Sequence, residues 1–557
     1  MKRPSTLVIA LGGSLLMWAA QPPLALAWLG WIAPVPWLIL VRQQELTGSR
    51  PYGKLWLAGF AFWLAAIHWI RLPHPAVYLG WLSLSAYLAI YLPLFVGLSR
   101  VAVHRLNVPL WLAAPIVWTG LELARAHVMT GFMMGSLAHS QAKWPLMIQI
   151  ADLFGEYGVD FVMVLVAAAV VDFGLRIADC GLKGRGPGYL LVPLLPAAIL
   201  LAAALAYGDT QLRSSNPQSE IRNPQSKTVR IALIQGNSLA DWKRDPEKQQ
   251  QIMSEYFELS KQAVGKATMN GNRPIDLLVW PETTFRAPLI DFDSRIGPEA
   301  TARLRSDRFA KAGPENLAQL VQTLGVPVLV GIDRVNYLNE PARDSLPEME
   351  VYNSSALVDR EGKIRGTYDK FHLVMFGEYV PFSKYFPFLK RLSSLTGAAE
   401  AGAGPVALEL DGVYYAPSIC YETVIPHVIR RQVATLDAAG ERPDVLVNLT
   451  NDAWYWGSSE LDMHIACDVF RAIETRTPLV IAANGGISAW IDRHGYIRAQ
   501  SPRQTPDVII ADVELNRGGQ LPLYMRIGDA FAAVCLTLCV ILAIIGWRTR
   551  RNPSTQY

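Results

Sequence analysis

The sequence predicts two kinds of structure in one chain: a polytopic α-helical membrane domain of about eight spans, and a large α/β domain at 228–515. Three observations lead there. The chain has 557 residues, is 51% hydrophobic and only 18% charged, and has a mean hydropathy of +0.20. That is too apolar for an ordinary soluble enzyme and too polar for spans alone. Apolar stretches of membrane length crowd the first 207 residues and return once near the end. Between them, short apolar β-type runs alternate with helical patterns, the signature of sheets covered by helices.

The spans fall near 6–22, 24–41, 55–72, 76–99, 109–126, 158–177, 189–207 and 527–547. Met1, Lys2 and Arg3 ahead of an apolar stretch resemble a secretion signal. A second span follows almost at once, so the first helix is read as uncleaved. Basic residues set the orientation. Lys2 and Arg3 open the chain, and Arg42, Arg50 and Lys54 follow the second span. Arg100 and Arg105 follow the fourth, Arg176, Lys183 and Arg185 the sixth, and Arg548, Arg550 and Arg551 the last. With seven spans before the α/β domain and one after, all of these fall on one side. The positive-inside rule makes that side cytoplasmic. The domain 228–515 is then expected on the other face, which in a bacterium is the periplasm. Its neighbours are a seven-span domain 1–207, a linker 208–227, and a segment 516–557 with one transmembrane helix and a cytoplasmic tail. The linker repeats Asn-Pro-Gln-Ser and lacks apolar periodicity, as a flexible tether does.

The net charge of +4 is small for this length, and its lysines and arginines form no single stripe, which argues against nucleic-acid binding. Cysteines at 180, 420, 467, 535 and 539 lack metal-type spacing, so no structural zinc is expected. Cys535 and Cys539, one helical turn apart in an apolar run, read as packing residues, and Cys467 reads as inert core.

Within the α/β stretch the strand-like runs are 229–235, 276–282, 326–332, 413–422, 445–452, 478–486 and 507–515. Helical patterns lie near 246–265, 314–324, 423–434 and 460–475. Strand ends are where α/β folds place reactive groups. Glu282 closes LLVWPE, Lys370 lies in GTYDKFHLV and Cys420 closes YYAPSIC. Singly, each has an ordinary reading as a cap, a surface charge or a small core thiol. Together they suit covalent catalysis. A carboxylate can take the thiol proton as sulfur attacks a carbonyl; an ammonium favours the thiolate and then holds the oxyanion. No histidine is placed to serve as the base. Asn353-Ser-Ser and Asn448-Leu-Thr match a glycosylation pattern, which means nothing in a bacterial protein.

WPET at 280–283, DKFHLVMFGEYVPF at 369–382 and ICYE at 419–422 resemble the Glu-Lys-Cys sites of the nitrilase superfamily. More closely, they resemble its membrane-bound branch, the apolipoprotein N-acyltransferases. NLTNDAWY at 448–455 is similar to that family's segment after the nucleophile strand, and IQGN at 234–237 to its first strand. Trp118, Glu122 and Arg125, then SQAKWPLMIQIADLFGEYGVDF at 140–161, resemble its long outer loop, and YMRIGD at 524–529 the approach to its last span. Met375 stands where the family often has proline, and His139 where an aromatic hydroxyl is common.

The resemblance implies an αββα sandwich for the α/β domain. It implies Cys420 as nucleophile, Glu282 as general base and Lys370 as the oxyanion-stabilising cation. Glu378 would be a second carboxylate that positions Lys370; Tyr421 and Glu422 would shape the surroundings of the thiol, and Trp242 would line substrate access. It further implies a ping-pong reaction. Cys420 takes an acyl chain from a phospholipid as a thioester, and the α-amine of the diacylglyceryl-cysteine of an apolipoprotein then attacks it. A site near the bilayer can keep water from that thioester. No metal or other cofactor is implied, and a monomer in the bilayer is expected, with no nucleic-acid partner.

Basic and aromatic residues alternate over 371–395, including Phe382, Tyr385, Phe386 and Phe388 beside Lys384, Lys390 and Arg391. Followed by the small residues of 398–404, this segment reads as a membrane-surface lid, with a packed core loop as the alternative. Two other readings compete: a membrane-tethered nitrilase-like amidase that passes its thioester to water, and a transporter or scaffold. Against the latter, acids and bases within the spans are sparse, and Glu122 and Arg125 sit at a span's outer end.

Overall fold

The computed structural model describes residues 5–551 apart from 76, 184–189, 214–227, 239–244, 269–272, 340–347, 381–384, 387–398, 516 and 518–519. The chain forms two compact units. One is built from Met1–Glu220, Asp462–Glu474 and Leu521–Tyr557, the other from Ile221–Leu461 and Thr475–Gln520.

The first unit is helical. Its main helices are Thr6–Ala20, Val35–Arg42, Pro51–Ala66, Val77–Leu88, Tyr91–Arg105, Leu110–His127, Glu156–Lys183, Leu194–Arg213 and Ala530–Arg551. Among the described residues, four helical stretches are long and apolar enough to cross a membrane: Val77–Arg105, Glu156–Ile177, Leu194–Arg213 and Ala530–Arg548. The stretch 24–41 is less regular than its hydropathy implies. It opens with the 3-10 turn Ala27–Trp31, and the α-helix starts only after Pro34, since proline cannot donate to a preceding turn.

The helix Leu194–Arg213 runs past residue 207, so the stretch read as a tether begins as helix. Two contacts explain this: Tyr207 donates its hydroxyl to Asp152 at 2.9 Å, and Gly208 lets the backbone pass against the Leu146 carbonyl. The rest of that stretch, 214–227, lies outside the described residues. Polar groups buried among the helices pair with one another, as an apolar surrounding requires. Arg125 bonds Glu122 and donates to the Phe132 carbonyl at 2.8 Å. Glu156 receives His139 at 3.1 Å and Arg471 at 2.7 Å, while its backbone N–H donates to Glu474 at 2.9 Å. Those bonds tie Asp462–Glu474, from within the stretch read as α/β, to the helices of this unit.

The second unit holds the strands β1 (Thr228–Gln235), β2 (Leu277–Val279), β3 (Phe285–Phe292), β4 (Val328–Tyr337), β5 (Met349–Val358) and β6 (Ile364–Asp369). They are followed by β7 (Leu408–Leu410), β8 (Val413–Ile419), β9 (Val445–Asn451), β10 (Leu479–Asn484), β11 (Ala489–Ile491), β12 (Ile497–Gln500) and β13 (Asp507–Glu514). One sheet has the order β13-β1-β2-β4-β5-β6, with β3 also on β4, and the other the order β12-β11-β10-β9-β8-β7. The centre of each sheet is parallel: β1-β2-β4 in the first, β8-β9-β10 in the second.

Alternate residues of these strands face opposite ways, so a strand buried on both faces reads as continuously apolar. From β1, Ile231 and Leu233 join Leu329 of β4, Tyr415 of β8, Val447 of β9 and Val480 of β10 in the core between the sheets. Ala232 and Ile234 turn outward to Tyr256 of the helix Pro246–Thr268, with Leu317 and Val321 of the helix Arg308–Leu324 in the same core. On the second sheet lies the helix Pro426–Ala438, whose Gln432 donates to the Pro417 carbonyl of β8 at 2.6 Å. Each fully buried Leu, Ile or Val contributes roughly 1.5–3 kcal/mol, and that core holds the strand ends in register.

Candidate active site

Glu282, Lys370 and Cys420 each stand just past a strand, and side-chain bonds draw the three ends together. Glu282 lies in the turn after β2. The turn packs tightly on β4, because a side chain at Gly331 would meet Glu282 Cα at 2.6 Å. Its carboxylate is gripped on both oxygens: Asn353 Nδ2 of β5 donates to Oε1 at 2.7 Å and the Asn451 N–H at the end of β9 donates to Oε2 at 2.9 Å. Burial lifts the carboxyl above its ordinary range and Glu378 adds to this, whereas Lys370 and the two donors oppose it.

Lys370 follows β6 and is 1% exposed. Its backbone N–H donates to the Asn353 carbonyl at 2.9 Å, and the Gly402 N–H closes over the Lys370 carbonyl at 2.9 Å. The preceding residue, Asp369, accepts from Arg334 Nε at 3.0 Å and from Ser354 Oγ at 2.6 Å, which fixes where β6 ends. Lys370 Nζ meets Glu378 Oε1 at 2.9 Å. Burial disfavours the ammonium, but Glu378, Cys420, Glu282 and Glu422 together outweigh it, so the amine stays protonated above the ordinary lysine range. Conversely, burial would raise Glu378, and the charge and bond of Lys370 hold it below the usual carboxylate range.

Cys420 opens a 3-10 turn, Cys420–Val424, straight off β8. Its φ is +52°, a left-handed conformation that costs a non-glycine residue roughly 1–3 kcal/mol. Asn448 Nδ2 braces it by donating to the Cys420 carbonyl at 3.2 Å. The thiol is half-buried. Burial pushes its pKa well above the ordinary value and Glu282 pushes it further, with Lys370 opposing. Lys370 favours the thiolate, as the sequence reading expects, but burial first and Glu282 second outweigh it. The proton has to leave as sulfur attacks, and Glu282, its own proton affinity raised, is suited to receive it.

Glu422 is fully buried and joins the thiol's turn to the end of β6. It accepts from the Ile419 N–H at 2.7 Å and the Tyr368 hydroxyl at 2.6 Å. It also accepts the N–H groups of Phe371 at 3.1 Å and His372 at 3.0 Å. Tyr421, next to the sulfur, is half-buried. Trp242 lies outside the described residues, as does most of the arm 371–395; of its aromatic residues beyond Tyr379, Tyr385 and Phe386 are described and exposed.

The sequence reading gave no role to Asn353, noticed only as a glycosylation pattern, or to Asn448, noticed as such a pattern and as the first residue of NLTNDAWY. Asn353 Nδ2 also reaches Glu378 Oε1 at 3.4 Å, so one amide touches both carboxylates. Asn353 stands in the middle of the mixed strand β5, whereas Asn448 interrupts the apolar run VLVNL in the middle of β9, where a buried amide needs a polar partner. That interruption was the available signal.

Comparison with known proteins bears on both halves of the chain. Residues 13–169 match the family described as apolipoprotein N-acyltransferase N-terminal domain, and residues 230–522 match carbon-nitrogen hydrolase. An apolipoprotein N-acyltransferase of Rhodopirellula baltica is 32% identical, over 97% of this chain and 98% of its own. One of Geobacter metallireducens is 33% identical, over 98% and 96% respectively. Among solved structures, an amidase of the nitrilase superfamily from Nesterenkonia is similar at 14% identity, covering 56% of this chain and 99% of its own, with a TM-score of 0.36.

Proposed function

The chain belongs to the apolipoprotein N-acyltransferase family, the membrane-bound branch of the nitrilase superfamily, and from that premise we propose a two-step transfer through Cys420. The acyl donor is a membrane phospholipid, and the acceptor is the N-terminal α-amine of a diacylglyceryl-modified apolipoprotein. The observation that carries the reading is geometric: Asn353 bonds both Glu282 and Glu378, Glu378 pairs with Lys370 at 2.9 Å, and Glu422 joins the turn of Cys420 to the residues just after Lys370.

In the first step the Cys420 sulfur attacks the ester carbonyl while its proton passes to Glu282. Lys370 holds the oxyanion that forms. The carbon–oxygen bond breaks, Glu282 returns the proton to the departing glycerol oxygen, and a lysophospholipid leaves behind a thioester. In the second step the acceptor amine attacks the thioester carbonyl and gives a proton to Glu282. The carbon–sulfur bond breaks, the amide leaves, and the thiol regains its proton. Glu378 positions Lys370, and Glu422 and Tyr421 shape the turn around sulfur.

The same reading places the chain in a bacterial inner membrane as a monomer, with seven spans before the α/β domain and one after. The basic loops then face the cytoplasm and the site faces the periplasm.

Intact-mass analysis of the full chain after incubation with phospholipid tests the proposal. One fatty-acyl adduct is expected, absent from Cys420→Ala and discharged by a lipopeptide with a free α-amine but not by its N-acetylated form. An adduct that survives in Cys420→Ala, or that water discharges as fast as the amine does, overturns it.

A further inference from the structure

The first unit contains a groove that acyl transfer does not use. It encloses about 410 Å³ between Tyr91–Arg105 and Ala530–Arg551, beside Tyr52 of Pro51–Ala66. Its walls divide by chemistry. Leu94, Leu98, Val101 and Leu542 line an apolar length, while Arg100, His104 and Arg105 gather on one helix beside it, and no carboxylate is among the lining residues.

The cationic wall is built rather than solvated. Arg100 donates to the carbonyls of Leu40, Val41 and Gln44, bonding the open end of Val35–Arg42, and His104 Nε2 meets the Val41 carbonyl at 2.7 Å. Arg105 is exposed and reaches across to the Gly546 carbonyl at 3.2 Å, which spans the groove at its rim. Gly546 permits that crossing, because a side chain there would meet Val101 Cγ2 at 3.1 Å. Tyr52 and Trp547, both exposed, flank the opening as interfacial aromatics do.

We propose that this groove binds one anionic diacyl phospholipid, its phosphate at Arg105 and Arg100 and an acyl chain along Leu94, Leu98 and Leu542. The inference rests on the reading of this unit as bilayer-embedded. Cations without a neighbouring carboxylate attract a phosphate, and basic pockets between membrane helices are suited to anionic headgroups. The apolar length distinguishes a lipid from free phosphate, which would leave that length empty. The lining contains no cysteine, serine or lysine to attack an ester, so the lipid is held intact and is not the acyl donor.

Native mass spectrometry of the full chain tests this, in a Cys420→Ala background so that no lipid is consumed. The probe is an equal mixture of phosphatidylglycerol and phosphatidylcholine. One phosphatidylglycerol should be retained with about tenfold preference, the scale expected of two cations near a headgroup. Arg105→Gln should reduce that preference about fivefold, and Ala543→Trp, which fills the groove, should abolish the preference and leave only the lipid held at the acyl-donor site. Millimolar inorganic phosphate should displace nothing. Equal retention of the two lipids, unchanged binding in both variants, or displacement by phosphate overturns the proposal. Assembly of the same samples into nanodiscs reports bilayer embedding separately, so failure of the groove and failure of the membrane reading are distinguishable.

Discussion

Asn353 donates its side-chain amide to Glu282 Oε1 at 2.7 Å and thereby steadies the charged form of a buried carboxylate. Removing that donor lets burial raise the Glu282 pKa further. In the proposed transfer Glu282 acts as base only when deprotonated, so the acidic limb of the acylation rate should move to higher pH in Asn353→Ala. A hydrogen bond to a charged group is worth about 1.5–3 kcal/mol, or roughly 10- to 100-fold in rate at neutral pH. Single-turnover adduct formation measured against pH checks this; a profile superimposable on the parent's would exclude Asn353 from tuning the base.

Glu378→Gln should move the same limb the other way. Glu378 raises the Glu282 pKa by like-charge repulsion, so its neutralisation lowers that pKa and extends activity to lower pH. The variant also deprives the buried Lys370 of its 2.9 Å partner, and breaking a buried pair on one side costs about 3 kcal/mol. Chemical denaturation in detergent should record that loss. Opposite shifts in Asn353→Ala and Glu378→Gln separate electrostatic tuning from general damage, which would move neither limb in a defined direction.

Glu422 is a different kind of carboxylate. It accepts four donors and offers none, and a glutamine in its place points an amide at two of them. Leaving buried donors unpaired costs about 1–3 kcal/mol each. Glu422→Gln should therefore lose at least about 2 kcal/mol of stability and slow acylation by loosening the turn that carries Cys420. Tyr368→Phe removes one donor and leaves no clash, so it should cost less; equal losses in the two variants would contradict the bracing role.

How much of this was legible follows from strand chemistry. β1, β9 and β10 lie inside the fold, and their apolar runs stand out in the sequence within a residue or two of their observed ends. β5 and β6 did not stand out. Half of β5 is exposed or only partly buried, and its sequence MEVYNSSALV mixes polar and apolar residues, with Asn353 of the site at its middle. Antiparallel pairing with β4 and β6 is what makes it a strand, and such long-range pairing leaves no local period. Glu282, Lys370 and Cys420 were readable because each lies in a recognisable motif. The groups that hold them, Asn353, Asn448 and the Asn451 N–H, are brought in from other strands of both sheets.

Gly331 offers a test of whether site geometry depends on backbone approach alone. Its φ is not in the left-handed region, so glycine is there for space: a Cβ would strike the Pro281 carbonyl and stand 2.6 Å from both Glu282 Cα and Thr283 N. All three are backbone atoms held by β2, and none can swing aside. Gly331→Ala should force β4 from the turn at a cost of about 2–3 kcal/mol and displace Glu282 from Asn353 and Asn451. Gly366 in β6 is the control, since a Cβ there meets only Leu408 Cδ2, at 2.8 Å, the tip of a flexible side chain. Gly366→Ala should cost less than about 1 kcal/mol and leave acylation near the parent rate. Denaturation midpoints and single-turnover acylation of both variants, taken below either midpoint, decide the matter. If the two alanines destabilise equally, or Gly331→Ala acylates at the parent rate, the close packing of β4 on the Glu282 turn does not set the position of the base.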